Sequence, residues 1–318
     1  MTYGGSNQPR QTRNERRDAA REKARILREE QKKRERRNKV LIQGGIIVAV
    51  IAIAALVGTL IFQNVKPDGP GPANMASDGI LMTAGEDGTI VAVETPALAA
   101  GEAPTPTTPD ESGEVANIVM YVDYLCPFCG QFEATNSDSI RTMVESGAAT
   151  LELHPIAILS NKSAGTRYSD RAANAAACVA DSSPDSFFDF NAILFENQPE
   201  EGSEGLTNDE LKSLADEVGV SSLSTIEKCI DDEQFKAWVR DATNRSLTEP
   251  IPNTDPELPS VTGTPTVLVN GQQYGGSLED PQEFQAFVLQ ATSATFNDSG
   301  ATPTPTPTPT PSPAWRNW

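Results

Sequence analysis

The chain has 318 residues, four cysteines and a single histidine, His154, so no site that needs two imidazoles can be built from it. Its net charge of −19 is unevenly spread: residues 1–39 carry 14 Lys/Arg against 6 Asp/Glu, whereas residues 64–318 carry 11 against 38. The acidic segment would repel phosphates, which argues against nucleic acid as the main partner, and such a division of charge excludes an ordinary cytoplasmic enzyme.

Between the two charged segments, residues 40–62 (VLIQGGIIVAVIAIAALVGTLIF) hold no charge. A helix of that length rises about 35 Å, enough for a hydrocarbon core of about 30 Å. A transmembrane helix is therefore expected here. The basic region before it is long for a signal peptide and the apolar run exceeds the usual roughly 7–15 residues, so the span reads as an uncleaved signal-anchor. Lys32, Lys33, Arg34, Arg36, Arg37 and Lys39 border it on one side, against Lys66 on the other. That asymmetry predicts a single-pass protein of the cell membrane, with residues 1–39 cytoplasmic and residues 64–318 outside.

Residues 63–115 read as an extracytoplasmic linker. They open with a Pro/Gly-rich spacer, contain a short strand over Thr89–Glu94, and continue through a loop-like stretch, TPALAAGEAPTPTTPDESGEV, at 95–115. The globular body is expected over residues 116–296. Ala116–Tyr124 (ANIVMYVDY) is β-branched and aromatic, a strand. Pro127–Ser146 switches to helical spacing, with Phe132, Ile140, Met143 and Val144 near one face. Thr150–Leu159 is a second strand. Residues 166–246 hold several helices, one over Leu206–Val218 with Asn208 as its N-cap. Thr266–Val269 is a strand ending in the hairpin signal Asn270–Gly271. Pro281–Ala291 is a closing amphipathic helix. Residues 297–318 form a Thr/Pro-rich disordered tail, whose run ATPTPTPTPTPSP favours polyproline II.

Cys126-Pro127-Phe128-Cys129 follows the first strand of the body and opens a helix. Gly130 stands where a haem-attachment motif needs histidine, and Cys178 and Cys229 are not spaced as the second half of a zinc site. A purely structural 126–129 disulfide would close too short a loop to constrain the unfolded chain much. The remaining chemistry is redox. Free backbone N–H groups and the positive end of the helix dipole favour a thiolate at the first cysteine. Cys126 is thus expected as the exposed nucleophile and Cys129, one turn further in, as the buried resolving thiol. Pro127 suits the first turn because its missing N–H has no partner to lose.

Tyr121–Glu133 (YVDYLCPFCGQFE) resembles the active-site segment of the DsbA-like thioredoxin-fold thiol–disulfide oxidoreductases, and Val261–Gly271 (VTGTPTVLVNG) resembles that fold's cis-proline loop and following hairpin. The resemblance covers roughly residues 116–295. It implies an α/β thioredoxin fold with an inserted helical domain at about 166–246. It also implies a cis Thr264–Pro265 bond beside the cysteine pair, with the Thr264 backbone binding an extended substrate and Pro265 keeping metal away. The sequence departs from the strongly oxidising members in having Phe128 where they carry histidine, which leaves the direction of electron flow open.

Outside the membrane an even cysteine count favours pairing. With 126 and 129 paired to each other, Cys178 and Cys229 remain as a structural disulfide, with electron relay the alternative. Asp123, three residues before Cys126, is either a turn residue or a proton acceptor during resolution, and His154 reads as structural. The resulting expectation is a membrane-anchored thiol–disulfide oxidoreductase that exchanges disulfides with exported proteins. It would use Cys126, Cys129, Thr264 and Pro265, need no metal or organic cofactor, and be served by a membrane redox partner. A disulfide reductase or isomerase of the cell envelope, or a non-catalytic binding module, are the alternatives.

Overall fold

In a computed structural model of the chain, residues 21–34, 36, 37, 39 and 69–299 are described. The chain divides into two units, Met1–Pro67 and Asp68–Trp318. The described residues of the first are helical and exposed. The apolar run 40–62 and the tail beyond residue 299 lie outside the described residues. Among those described, no helix is long and apolar enough to cross a membrane.

The second unit is built on six strands in the order β2-β1-β4-β3-β5-β6. These are β1 (Ile80–Ala84), β2 (Ile90–Ala92), β3 (Ala116–Val122), β4 (Ala149–Pro155), β5 (Thr266–Val269) and β6 (Gln272–Gln273). β3 and β4 are parallel, with Met120 opposite Leu153, and every other pairing is antiparallel. The parallel pair is joined by α1 (Pro127–Glu145), as a parallel connection requires. Alternation along β3 sets the two faces of the sheet. Ile118, Met120 and Val122 point into the main core with Phe132 and Ile140 of α1 and Phe284 and Val288 of α7 (Pro281–Ser299). Tyr121 turns to the other face, against Ile156, Ile251, Val261 and Leu268.

Between β4 and β5 the chain forms α2 (Tyr168–Ser182), α3 (Phe187–Glu196), α4 (Asn208–Glu217), α5 (Leu223–Asp231) and α6 (Lys236–Thr248). α2 is the centre of this block. Its run Ala172–Ala180 is buried at every position, and so many alanines allow neighbouring helices to approach closely. Cys178 in α2 and Cys229 in α5 are joined by a disulfide.

Several boundaries differ from the sequence expectation. The linker read over 63–115 is packed over residues 71–80: Asn74, Met75 and Ala76 are buried, and their segment hydrogen-bonds residues 95 and 105 through backbone amides, while residues 93–112 stay largely exposed and irregular. Within it β1 went unrecognised, although the turn between β1 and β2 carries Asp87–Gly88, with Gly88 at φ +79°, a hairpin signal in its own right. β4 ends at Pro155 rather than residue 159 because the chain turns there to hydrogen-bond Asp123 through the Leu159 amide, 2.8 Å away. The cap of α4 is Thr207, not Asn208; Thr207 and Glu210 exchange hydrogen bonds in a capping box. α7 runs on to Ser299. The hydroxyls of Thr292, Ser293 and Thr295 donate to carbonyls one turn back instead of ending the helix.

The packed extension is fastened by a two-pronged ion pair. Arg245 of α6 donates to the two carboxylate oxygens of Asp78 at 2.6 and 2.7 Å, in a largely buried setting. Arg245→Ala would strand a buried carboxylate. It is expected to destabilise the unit by about 3 kcal/mol and to open residues 69–79 to limited proteolysis; an unchanged digestion pattern would refute this. Replacing Cys178 and Cys229 together by alanine frees a loop with a sequence separation of 51. That is expected to cost about 4 kcal/mol, read as a lower denaturant midpoint at constant slope.

Candidate active site

Cys126 ends the loop after β3 and is the N-cap of α1, in an extended conformation with Pro127 in the first turn. Its backbone N–H donates to the Asp123 carbonyl at 2.9 Å, and its own carbonyl accepts from the Cys129 amide at 3.0 Å. Across the chain, the peptide bond Thr264–Pro265 is cis. The Cys126 thiol donates to the Thr264 carbonyl at 3.2 Å, although the two residues are 138 positions apart. Cys126, Cys129, Thr264 and Pro265 therefore meet in one place; Cys178 and Cys229 belong to the helical block.

The exposure of Cys126 differs from the expectation. The residue is 4% exposed, and Cys129 fully buried. The thiol turns under the Thr264 carbonyl, so the surface of the site is formed by Pro127 and by Phe128, which is 57% exposed.

Neither sulfur of the pair is bonded, and the two share their protons unequally. The Cys126 thiol is lowered to about 6. The hydrogen bond from the Cys129 thiol is the largest cause; burial opposes it, and the Cys129 and Phe128 amides assist, whereas the hydrogen bond to the Thr264 carbonyl is one that only the protonated thiol makes. Cys129 is pushed well above its usual range, first by burial and then by donating to Cys126. Near neutral pH the pair thus holds one thiolate, at Cys126, and one proton, at Cys129.

Three further residues shape the site. Gln198, in the loop after α3, donates to the carbonyls of Cys126 (2.9 Å) and Tyr124 (3.1 Å). Gly130 makes room for it, because a Cβ there would lie 2.3 Å from the Gln198 Oε1. Nothing in the sequence marks Gln198, which lies about 70 residues from the motif it holds. Asp123 is completely buried. Its Oδ1 accepts from the Leu125 amide and the Ser169 hydroxyl, and its Oδ2 from the Leu159 amide, all at 2.8–2.9 Å. It ties the active-site loop to the turn after β4 and to α2. Glu133, one helical turn beyond Cys129, is a buried carboxyl raised by desolvation to about 7; its position four residues on, facing inward with Cys129, was legible in the helical spacing. His154 takes no part here. It stacks on Tyr121 with ring centroids 4.3 Å apart and lies 3.4 Å from Glu152.

The thioredoxin family model matches residues 114–290, more than half of the chain. No curated protein matches the chain. Among solved structures, the reduced form of the disulfide bond oxidoreductase DsbG of Mycobacterium tuberculosis is 31% identical, over 59% of this chain and 86% of that one, with a TM-score of 0.46. DsbA of the same organism is 28% identical over 70% of this chain and 99% of that one, with a TM-score of 0.48. BdbD of Bacillus subtilis is 19% identical over 72% and 100%, also at 0.48. With the family match running from the start of β3 into α7, and the cysteine pair seated at a helix N-terminus, the chain belongs to the thioredoxin family.

Proposed function

We propose that the protein exchanges disulfides with exported proteins through Cys126 and Cys129, and that residues 40–62 anchor it in the cell membrane with the redox unit outside. The observation that carries the chemistry is the meeting of the Cys126 sulfur, at the α1 N-terminus, with the Thr264 carbonyl at 3.2 Å. In the oxidising direction, a substrate thiolate attacks the Cys126 sulfur of the 126–129 disulfide. The sulfur–sulfur bond breaks, its electron pair goes to Cys129, and a mixed disulfide forms. A second substrate thiolate then attacks the substrate sulfur of that bond, leaving Cys126 as a thiolate, and a membrane redox partner reoxidises the pair. The Thr264 backbone would hold the substrate strand, and exposed Phe128 would meet it with an apolar surface.

A Cys126 thiol near 6 bears on the direction of flow. A low pKa stabilises the reduced form and makes the disulfide more oxidising. The value lies between thioredoxin, about 7, and DsbA, about 3.5. The potential is accordingly expected between about −270 and about −120 mV, measured by equilibration with glutathione. A value at the thioredoxin end would turn the reading towards an envelope reductase or isomerase.

Thiolate absorbance of the reduced protein should appear with a midpoint near pH 6, present above that pH and lost below it. Cys126→Ser should remove this step and abolish exchange. Cys129→Ala, which deletes the main donor to the thiolate, should move the midpoint upward; Cys129→Ser, which keeps a donor, should move it less and trap mixed disulfides on Cys126. Full exchange activity in Cys126→Ser would refute the assignment.

A further inference from the structure

Glu152 of β4 stands opposite Val119, on the sheet face that carries Tyr121, and is 6% exposed. Its hydrogen bonds all fall on one oxygen. The Thr107 hydroxyl donates to Oε1 at 2.8 Å, the Ser77 hydroxyl donates to the same atom, and the His154 Nε2 lies 3.4 Å from it. Among the described residues, no donor reaches Oε2. Burial opposes the charge, yet His154, Ser77 and Thr107 hold the carboxyl below its ordinary range, so it is an anion at neutral pH. A buried anion with one oxygen unmet is costly unless a cation pairs with it.

Glu152 lines a cleft of about 160 Å³. Val119 and Leu268, opposite each other on β3 and β5, form its apolar part. The exposed carboxylates of Asp110 and Glu111 stand at its rim, and no Lys or Arg lines it. Thr295 of α7 borders it too, held there by the Asn270 amide, which donates to the Thr295 hydroxyl at 3.0 Å. α7 ends four residues later, at Ser299. The chain beyond is a Thr-Pro run followed by Trp315-Arg316-Asn317-Trp318, and Arg316 is the only Lys or Arg after Arg245. Arg316 is 17 residues past Ser299. At about 3.1 Å per residue that is a reach of about 50 Å, ample to return to a cleft that α7 itself borders. An attached segment of this kind is presented at an effective concentration on the order of mM.

We propose that the Trp315–Trp318 segment docks in this cleft, with the Arg316 guanidinium paired to the Glu152 carboxylate and an indole covering Val119 and Leu268. None of the cleft walls belongs to the cysteine site, so the proposal does not depend on the redox assignment. A guanidinium is less strongly hydrated than an ammonium and offers a planar fork of donors, which suits a partly buried carboxylate. Asp110 and Glu111 add attraction at the rim. The tryptophan supplies a large apolar surface with one N–H donor, matched to a cleft whose apolar part is ringed by acceptors.

The test is acrylamide quenching of tryptophan fluorescence in the purified full chain. The chain has three tryptophans; the signal of the segment is the difference between the full chain and its Trp315→Phe/Trp318→Phe double variant, which retains Trp238. That signal should lie at shorter wavelength, and be quenched several-fold less, than in Arg316→Glu, at every protein concentration. Glu152→Gln should release the segment to the same degree. Should that variant fail to fold, Glu111→Lys on the exposed rim replaces it and should weaken the protection, with disulfide exchange unchanged as the sign of a folded unit. Equal quenching in wild type and Arg316→Glu would overturn the proposal. So would protection that persists in the folded cleft variant, since the segment would then be docked elsewhere. Protection lost on dilution would assign the cleft to the segment of a second copy and overturn docking within one chain.

Discussion

One contact organises the functional half of the molecule: the Cys126 thiol against the Thr264 carbonyl. Each side of it is held independently. Cys126 is fixed by the start of α1, by Gln198 and by the loop that Asp123 anchors. Thr264 is fixed by the entry to β5, the antiparallel neighbour of β3. Because β3 leads into the motif and β5 leads out of the proline turn, the sheet register itself sets the separation of sulfur and carbonyl.

The pair of thiols shows how burial and hydrogen bonding divide one chemical type into two roles. Both are shielded from solvent, yet one is pulled towards the anion and the other pushed away from it. The difference comes from direction. Cys126 receives hydrogen bonds from Cys129 and from the amides of the first helical turn, whereas Cys129 sits inside the core, keeps its proton and donates a hydrogen bond to Cys126.

The segments around the thioredoxin core are structural partners of the site. The helical block supplies Ser169 to Asp123, Gln198 to the motif and Asn191 to Glu133, and is stapled by the Cys178–Cys229 disulfide. The extension over residues 71–112 bonds both the helical block, where Arg245 of α6 holds Asp78 and Asp181 of α2 accepts from the Ala73 amide, and the sheet. Glu152 of β4 accepts from Thr107 at 2.8 Å and from Ser77, so a stretch rich in proline and glycine is ordered by polar side chains at its contact points.

Much of the fold was written locally. β-branched and aromatic content marked β3, a short β-branched run marked β5, the 3.6-residue period marked α1, and Asn270–Gly271 marked the β5–β6 hairpin; both its residues have positive φ. The order of the two cysteines in the helix also followed from local rules, since only the first residue of a helix meets its free amides. Other features had no local signature. The packing of residues 71–112 depends on long-range hydrogen bonds that composition conceals, and β1 acquires its identity from pairing with β4. Gln198 and Asp123 act through partners brought in from other elements, and the burial of Cys126 arises from a loop 138 residues away. Sequence alone determined which atoms are chemically able to exchange electrons; tertiary structure decided how covered they are, because burial and proton access are properties of neighbours that only folding assembles.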